Sequence, residues 1–223
     1  MAVFVRLLYA AVCAGLLSGG LMATAHQIGT VPLILQAEVY ERAAHGYDAA
    51  PAETEWKPEN GLQRALYTAA ADLLTGIGFA LLLAAGLALR GGEIGWRDGL
   101  FWGLGGFAAF TLAPALGLPP ELPGSEAAPL LARQLWWLWA AMSTAAGLGL
   151  LAFTRRPWLA VAAAALLALP QAWGPPLPPN WAAAAPPDIA HRFIASVILV
   201  SFLFWASLGA STGYFYRRFA ALS

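Results

Sequence analysis

The sequence predicts an all-α integral membrane protein with about six transmembrane helices, and three observations carry that prediction. The 223 residues are 60% apolar and only 11% charged. A soluble domain carries roughly 25% charged residues, so too little charge is present to cover a soluble surface. Mean hydropathy is +0.64, which suits a bilayer, where apolar surface needs no polar cover. The apolar residues also fall in long Ala/Leu-rich runs without the alternation of barrel strands.

The runs are Val3–Ala25, Leu66–Leu89, Leu100–Leu118, Leu135–Phe153, Trp158–Trp173 and Ile194–Phe215. A helix needs about 20 apolar residues to cross a 30 Å hydrocarbon core. The fifth run is the weakest, being short and holding Pro170 near its end. Tryptophans such as Trp96, Trp136, Trp158 and Trp173 sit near run ends, as interface anchors do. Gly15-x3-Gly19, Gly99-x3-Gly103 and Gly209-x3-Gly213 would let helices approach closely, although such spacing is common by chance in a chain with 23 glycines. Ala23-Thr24-Ala25 resembles a signal-peptidase site. The run before it is longer than a usual signal core, so an uncleaved first helix is expected; cleavage would leave five spans.

The chain, 1–223, reads as a single membrane domain. With the N-terminus cytoplasmic, seven basic residues fall inside and five outside, with Arg155-Arg156 and Arg217-Arg218 as inner pairs. That modest positive-inside bias, with an even number of runs, puts both termini in the cytoplasm. Each outer loop leads into a helix start bearing an arginine, at Arg64, Arg133 and Arg192, and each of those helices runs to Arg90, Arg155 or Arg217. This spacing suggests three tandem hairpins, 3–90, 97–155 and 157–218, in one orientation. Arg64, Arg133 and Arg192 would then lie at one level, each neutralised by an acid: Glu38 or Glu41, Glu121, and Asp188.

Several function classes are excluded or unsupported. Zero net charge gives no general attraction to nucleic acid. One cysteine, Cys13, excludes an intramolecular disulfide or a cysteine-based zinc site. No Walker or dinucleotide-binding glycine loop is present, nor an HExxH or serine or cysteine triad. No enzyme activity and no permanently bound cofactor are expected.

The residues with ligand chemistry gather on the outer side, which holds all three histidines and nine of the twelve acids. In the outer segment 32–60, Pro32 to Gly46 reads as a short amphipathic helix on the membrane surface. Glu38, Glu41 and His45 share one face of it, with Val31, Leu33, Ile34, Leu35 and Val39 supplying the apolar side. Carboxylates and an imidazole together suit a first-row divalent ion; the same residues also fit a solvated face with a Glu38–Arg42 pair. His26 ends the first run, and Asp72 is the one acid well inside an apolar run, a costly position that usually faces a cavity or a partner. Its alternative role is structural, paired with Arg64 or a threonine. Asp188 suits the N-cap of the last helix with His191 one turn in. Glu121 lies in a loop stiffened by Pro119, Pro120 and Pro123. The expected cation site is His26, Glu38, Glu41, His45 and Asp72, with His191 and Glu121 as further candidates. Two readings fit this pattern: a cation permease or channel subunit, and a non-transporting scaffold or metal sensor.

Ala37-Glu38-Val39-Tyr40-Glu41, the stretch LGLPPELPG from Leu116 to Gly124, ARQLWW from Ala132 to Trp137, and Ala190-His191-Arg192-Phe193 occur in that order. Together they resemble the CbtA family of predicted cobalt transporter subunits. The resemblance implies a bacterial inner-membrane protein that takes up Co²⁺ for cobalamin synthesis. It also implies a partner, a second small subunit with a single span and a histidine-rich tail. A homo-oligomer is compatible with the same features. Nitrogen and oxygen donors do not by themselves select cobalt over nickel.

Overall fold

A computed structural model describes residues 2–45, 58–180 and 182–220, so expectations that fall on 46–57 of the outer segment lie outside the described residues. The elements are α1 (Ala2–Gly29), α2 (Val31–His45), α3 (Leu62–Arg90), α4 (Trp96–Phe107), a π turn (Ala108–Leu112), α5 (Ala113–Gly117), α6 (Leu130–Phe153), α7 (Pro157–Trp173) and α8 (Pro187–Ala220). The protein is an all-α membrane protein. Among the described residues, five helices are long and apolar enough to cross a bilayer: Phe4–Gly29, Leu62–Arg90, Trp96–Gly117, Leu130–Phe153 and Pro187–Ala220.

The remaining apolar run, Trp158–Trp173, read in the sequence as the weakest of the six, is shorter than these five. It forms α7, with 17 residues, about 26 Å at a 1.5 Å rise, the short end of the spanning range. Gly174, at φ 86°, ends the helix. Pro175 and Pro176 follow and cannot supply the backbone donors that would continue it. The third span survives its own proline. Pro114 sits just after the π turn, a local widening that accommodates a missing ladder hydrogen bond.

The chain divides into two compact units. The first comprises Met1–Pro32, Tyr47–Leu104 and Leu199–Ser223. Gly15 lies against Gly76 and Ile77 while Gly19 lies against Asp72 and Leu73. Rising numbers in α1 meet falling numbers in α3, so the two helices are antiparallel. A Cβ at Gly15 would be 2.5 Å from the Ile77 Cα, and one at Gly19 would be 2.7 Å from the Asp72 carbonyl oxygen. A second seam joins α4 to the later part of α8, where Gly99 and Gly103 face Gly209 and Gly213 faces Gly95 and Gly99. All three glycine pairs noted in the sequence are therefore backbone contacts. Arg6 donates to the Tyr216 hydroxyl at 2.7 Å and Arg90 bridges to Asp98 at 2.7 Å.

The second unit comprises Leu33–Gly46 and Gly105–Ile198. Its α6 and α7 pack as a pair, with Gly147 against the Ala163 carbonyl. Gln171 of α7 donates to the Ala113 carbonyl at 2.8 Å. A separate core forms where Leu33 and Ala37 of α2 meet Leu122 of the proline loop and Ala185, Ile189 and Phe193. The loop is pinned by two backbone bonds, Glu126 N–H to the Ala182 carbonyl at 3.0 Å and Ala184 N–H to the Gly124 carbonyl at 3.1 Å.

Neighbouring glycines in α1 separate packing from helix propensity. Gly19→Ala should destabilise the protein by roughly 1–3 kcal/mol, because backbone rather than a movable side chain blocks the methyl group. Gly20 has open space beside it, so Gly20→Ala should be neutral or stabilising by up to about 1 kcal/mol. Thermal unfolding of both variants in detergent micelles measures the difference.

Candidate functional site

The first unit holds a buried polar pair. His26 Nδ1 and Asp72 Oδ2 are 2.9 Å apart, with side chains 20% and 9% exposed. The pairing follows from helix geometry. His26 lies 7 and 11 residues beyond Gly19 and Gly15, on the face of α1 that meets α3. Helical side chains tilt toward their own N-terminus, so in antiparallel helices these two lean toward each other. Asp72 stands about 15 Å along α3 from its start, and a carboxylate at such a position needs a partner. That partner is the imidazole and not Arg64, whose Nη1 donates to Asn60 Oδ1 at 2.9 Å. Thr30 closes the end of α1, its N–H and hydroxyl both donating to the His26 carbonyl.

The pair leaves donor capacity free for a cation. One Asp72 oxygen and the His26 Nε2 are outside the 2.9 Å contact. Carboxylate oxygen and imidazole nitrogen are the donors that first-row divalent ions take. Among the described residues no group of three or more His, Cys, Asp or Glu side chains converges. The chain's described part therefore offers two protein donors here, short of a closed cage.

The other expected residues belong to the second unit. Leu33 and Ala37 are buried, Glu38 and Glu41 are half-buried, and Leu35, Val39 and Tyr40 are exposed. At 100° per residue, positions 33, 37 and 41 share one stripe, so Glu41 is carried to the packed side together with the core residues. Leu35 and Val39, read as part of the membrane-facing apolar side, are exposed. Gly124, at φ 76°, sits between Glu41 and Ala184, where a Cβ would be 3.1 Å from the Glu41 Cβ. Arg42 donates through Nε to the Glu38 backbone carbonyl at 3.0 Å. His45 is the last residue of α2, and its side chain lies outside the described residues.

Glu121 Oε2 lies 3.3 Å from Arg133 Nη1, both about one-third exposed. Such a pair at the surface stabilises by at most about 1 kcal/mol. Asp188 is in the first turn of α8 rather than at its N-cap, because Pro186 supplies the carbonyl that accepts from Ile189 and Ala190. Asp188, His191 and Arg192 are exposed. Among the described residues Arg192 has no ion-pair partner, so the neutralisation expected for it is absent there. Below the buried pair, Ser18 and Ser211 hydroxyls approach to 3.4 Å. Neither serine stood out in the sequence; Ser18 sits beside Gly19, and that adjacency is the signal that marks it as interior.

Residues 4–217 match a family model described as "Probable cobalt transporter subunit (CbtA)". No curated protein and no solved structure matches the chain.

The two halves of the buried pair should respond differently to mutation. His26→Ala removes the Asp72 carboxyl's partner and should cost roughly 1–3 kcal/mol. Asp72→Asn keeps an acceptor for the imidazole and should cost less. Thermal unfolding in detergent ranks the two.

Proposed function

Because the chain belongs to the family of probable cobalt transporter subunits, CbtA, we propose that it is the membrane subunit of a cobalt uptake transporter in which His26 and Asp72 hold the ion as it enters the membrane-spanning helices. The observation that carries this reading is the 2.9 Å His26–Asp72 contact, an imidazole and a carboxyl held within a helix pair long enough to span the bilayer. Intramembrane ionisable groups mark ion pathways more often than they serve packing alone.

Two donors do not complete a coordination shell. Water fills the remaining positions, or donors from another polypeptide do; a small single-span partner with a histidine-rich tail fits that role. Protons compete with the cation, since a ligating imidazole must be neutral. Glu38, Glu41 and His45 of α2 are further ligand candidates, and Glu121 and His191 weaker ones. Ser18 and Ser211 supply polar atoms about 12 Å further along α1. The pathway carries the ion inward in a bacterial inner membrane, with both termini cytoplasmic and the arginine pairs Arg155-Arg156 and Arg217-Arg218 on that side. The three hairpins, 3–90, 97–155 and 157–218, form the repeating frame.

Cobalt accumulation in a cobalt-uptake deletion strain tests the reading. The His26→Ala/Asp72→Asn double variant should lose at least about tenfold in uptake with its membrane level unchanged, since even the outer-shell partners of metal ligands are worth about that much. His45→Ala should mainly raise the cobalt concentration needed for half-maximal uptake. Wild-type uptake by the double variant would sink the assignment of these two residues. No uptake by the wild-type chain, by itself or with its small partner, would favour a scaffold or sensor instead.

Orientation has its own readout. A periplasm-active reporter fused after Gly124 or Pro179 should be active, and one fused after Ser223 inactive. Activity at Ser223 would mean an odd number of spans or an inverted chain.

A further inference from the structure

The first unit contains a second polar feature that cation uptake leaves unused. A cavity of about 680 Å³ opens where the start of α1, the α3–α4 turn and the end of α8 meet, lined by Arg6, Trp96, Arg97, Tyr216 and Arg217 among others. Arg6 is held ready in it. Its guanidinium stacks 4.4 Å from the centre of the Tyr216 ring and one terminal nitrogen donates to the Tyr216 hydroxyl. Its Nε is buried with no hydrogen-bond partner. Arg97 stacks on Trp96 at 5.4 Å. Among the described residues no carboxylate pairs with Arg6, Arg97 or Arg217.

Two acids also line the cavity, Glu93 and Asp98. Asp98 is committed elsewhere, accepting from Arg90 at 2.7 Å and from the Gly95 N–H at 3.0 Å. The cradle thus keeps an excess of positive charge and spare planar donors. Arg6 and Trp96 lie at the first turns of apolar spans and Tyr216 near the end of another, so the cavity stands at the depth of lipid headgroups. Guanidinium forks match phosphate oxygens, and amphipathic Trp and Tyr side chains belong at that interface.

We infer that this cavity binds a phosphate-bearing anion, seated as the headgroup of an anionic phospholipid. Arg6 contributes its guanidinium charge and terminal donors from the wall, while Arg97 and Arg217 close on the phosphate from the open side. The site is separate from His26 and Asp72 and does not depend on their role in cobalt uptake.

Titration of the purified full-length protein in neutral detergent tests this, followed by tryptophan fluorescence. The probes are dihexanoyl phosphatidylglycerol, dihexanoyl phosphatidylcholine and inorganic phosphate. Arg97 and Arg217 are exposed, so Arg97→Gln/Arg217→Gln leaves the packed core intact. Arg155→Gln/Arg156→Gln, remote in sequence and in the other unit, is the control. The wild type and the control should prefer phosphatidylglycerol to phosphatidylcholine, and Arg97→Gln/Arg217→Gln should weaken phosphatidylglycerol binding roughly thirtyfold, about one surface-lipid increment per arginine. An equivalent loss confined to inorganic phosphate upholds the anion site and assigns it to free phosphate. Equal binding of all probes by the wild type, or unchanged affinity in Arg97→Gln/Arg217→Gln, overturns the site.

Discussion

In hydrocarbon, two apolar helices gain nothing by hiding from water, so their association depends on close van der Waals contact and on polar groups that need each other. Both are present where α1 meets α3. Gly15, Gly19 and Gly76 bring the backbones together, and the resulting approach lets His26 and Asp72 meet across the same face. The two features reinforce one another. A side chain at Gly19 would push α1 from the backbone of Asp72 itself, and loss of the imidazole would leave a buried carboxyl without its partner. The position of the candidate ion ligands is thus set by residues that carry no ligand chemistry.

The second unit uses a different device. Its proline loop cannot form a regular ladder, because Pro119, Pro120 and Pro123 lack backbone donors. Leu122 anchors the loop in a small apolar core with α2 and the start of α8, and two backbone bonds fix the residues that follow. Gly124 has both a positive φ and no room for a side chain between Glu41 and Ala184. These demands explain the LGLPPELPG stretch as structure. They also explain why Glu41, which reads as a surface acid, lies on the packed side of its helix.

The spans were legible from the apolar runs, because length and composition are what a bilayer selects. The helix expected over Pro32–Gly46 is Val31–His45, readable from proline at its start and glycine after its end. Its facing was not readable. The acids suggested a solvated side, but the partner on that side is a distant loop, and no local pattern reports a contact about 80 residues away. The glycine pairs carried more than their chance frequency suggested, since only the fold shows which glycines meet backbone. His26 and Asp72 each stood out alone, one at a run end and one inside a run; that they touch depends on the antiparallel register of α1 and α3. The short α7 was legible as the weakest run, and Gly174 with its two prolines is the stop signal that ends it.

In the proposed transporter Co²⁺ is held by the imidazole of His26 and the carboxyl of Asp72. X-ray absorption at the cobalt edge, on purified protein loaded with one equivalent of Co²⁺, tests it most directly. An imidazole contribution at about 2.0–2.1 Å, the nitrogen distance of comparable first-row ions, should appear in the wild type and disappear in His26→Ala. An all-oxygen shell like that of the hydrated ion, identical in the wild type and His26→Ala, would contradict it.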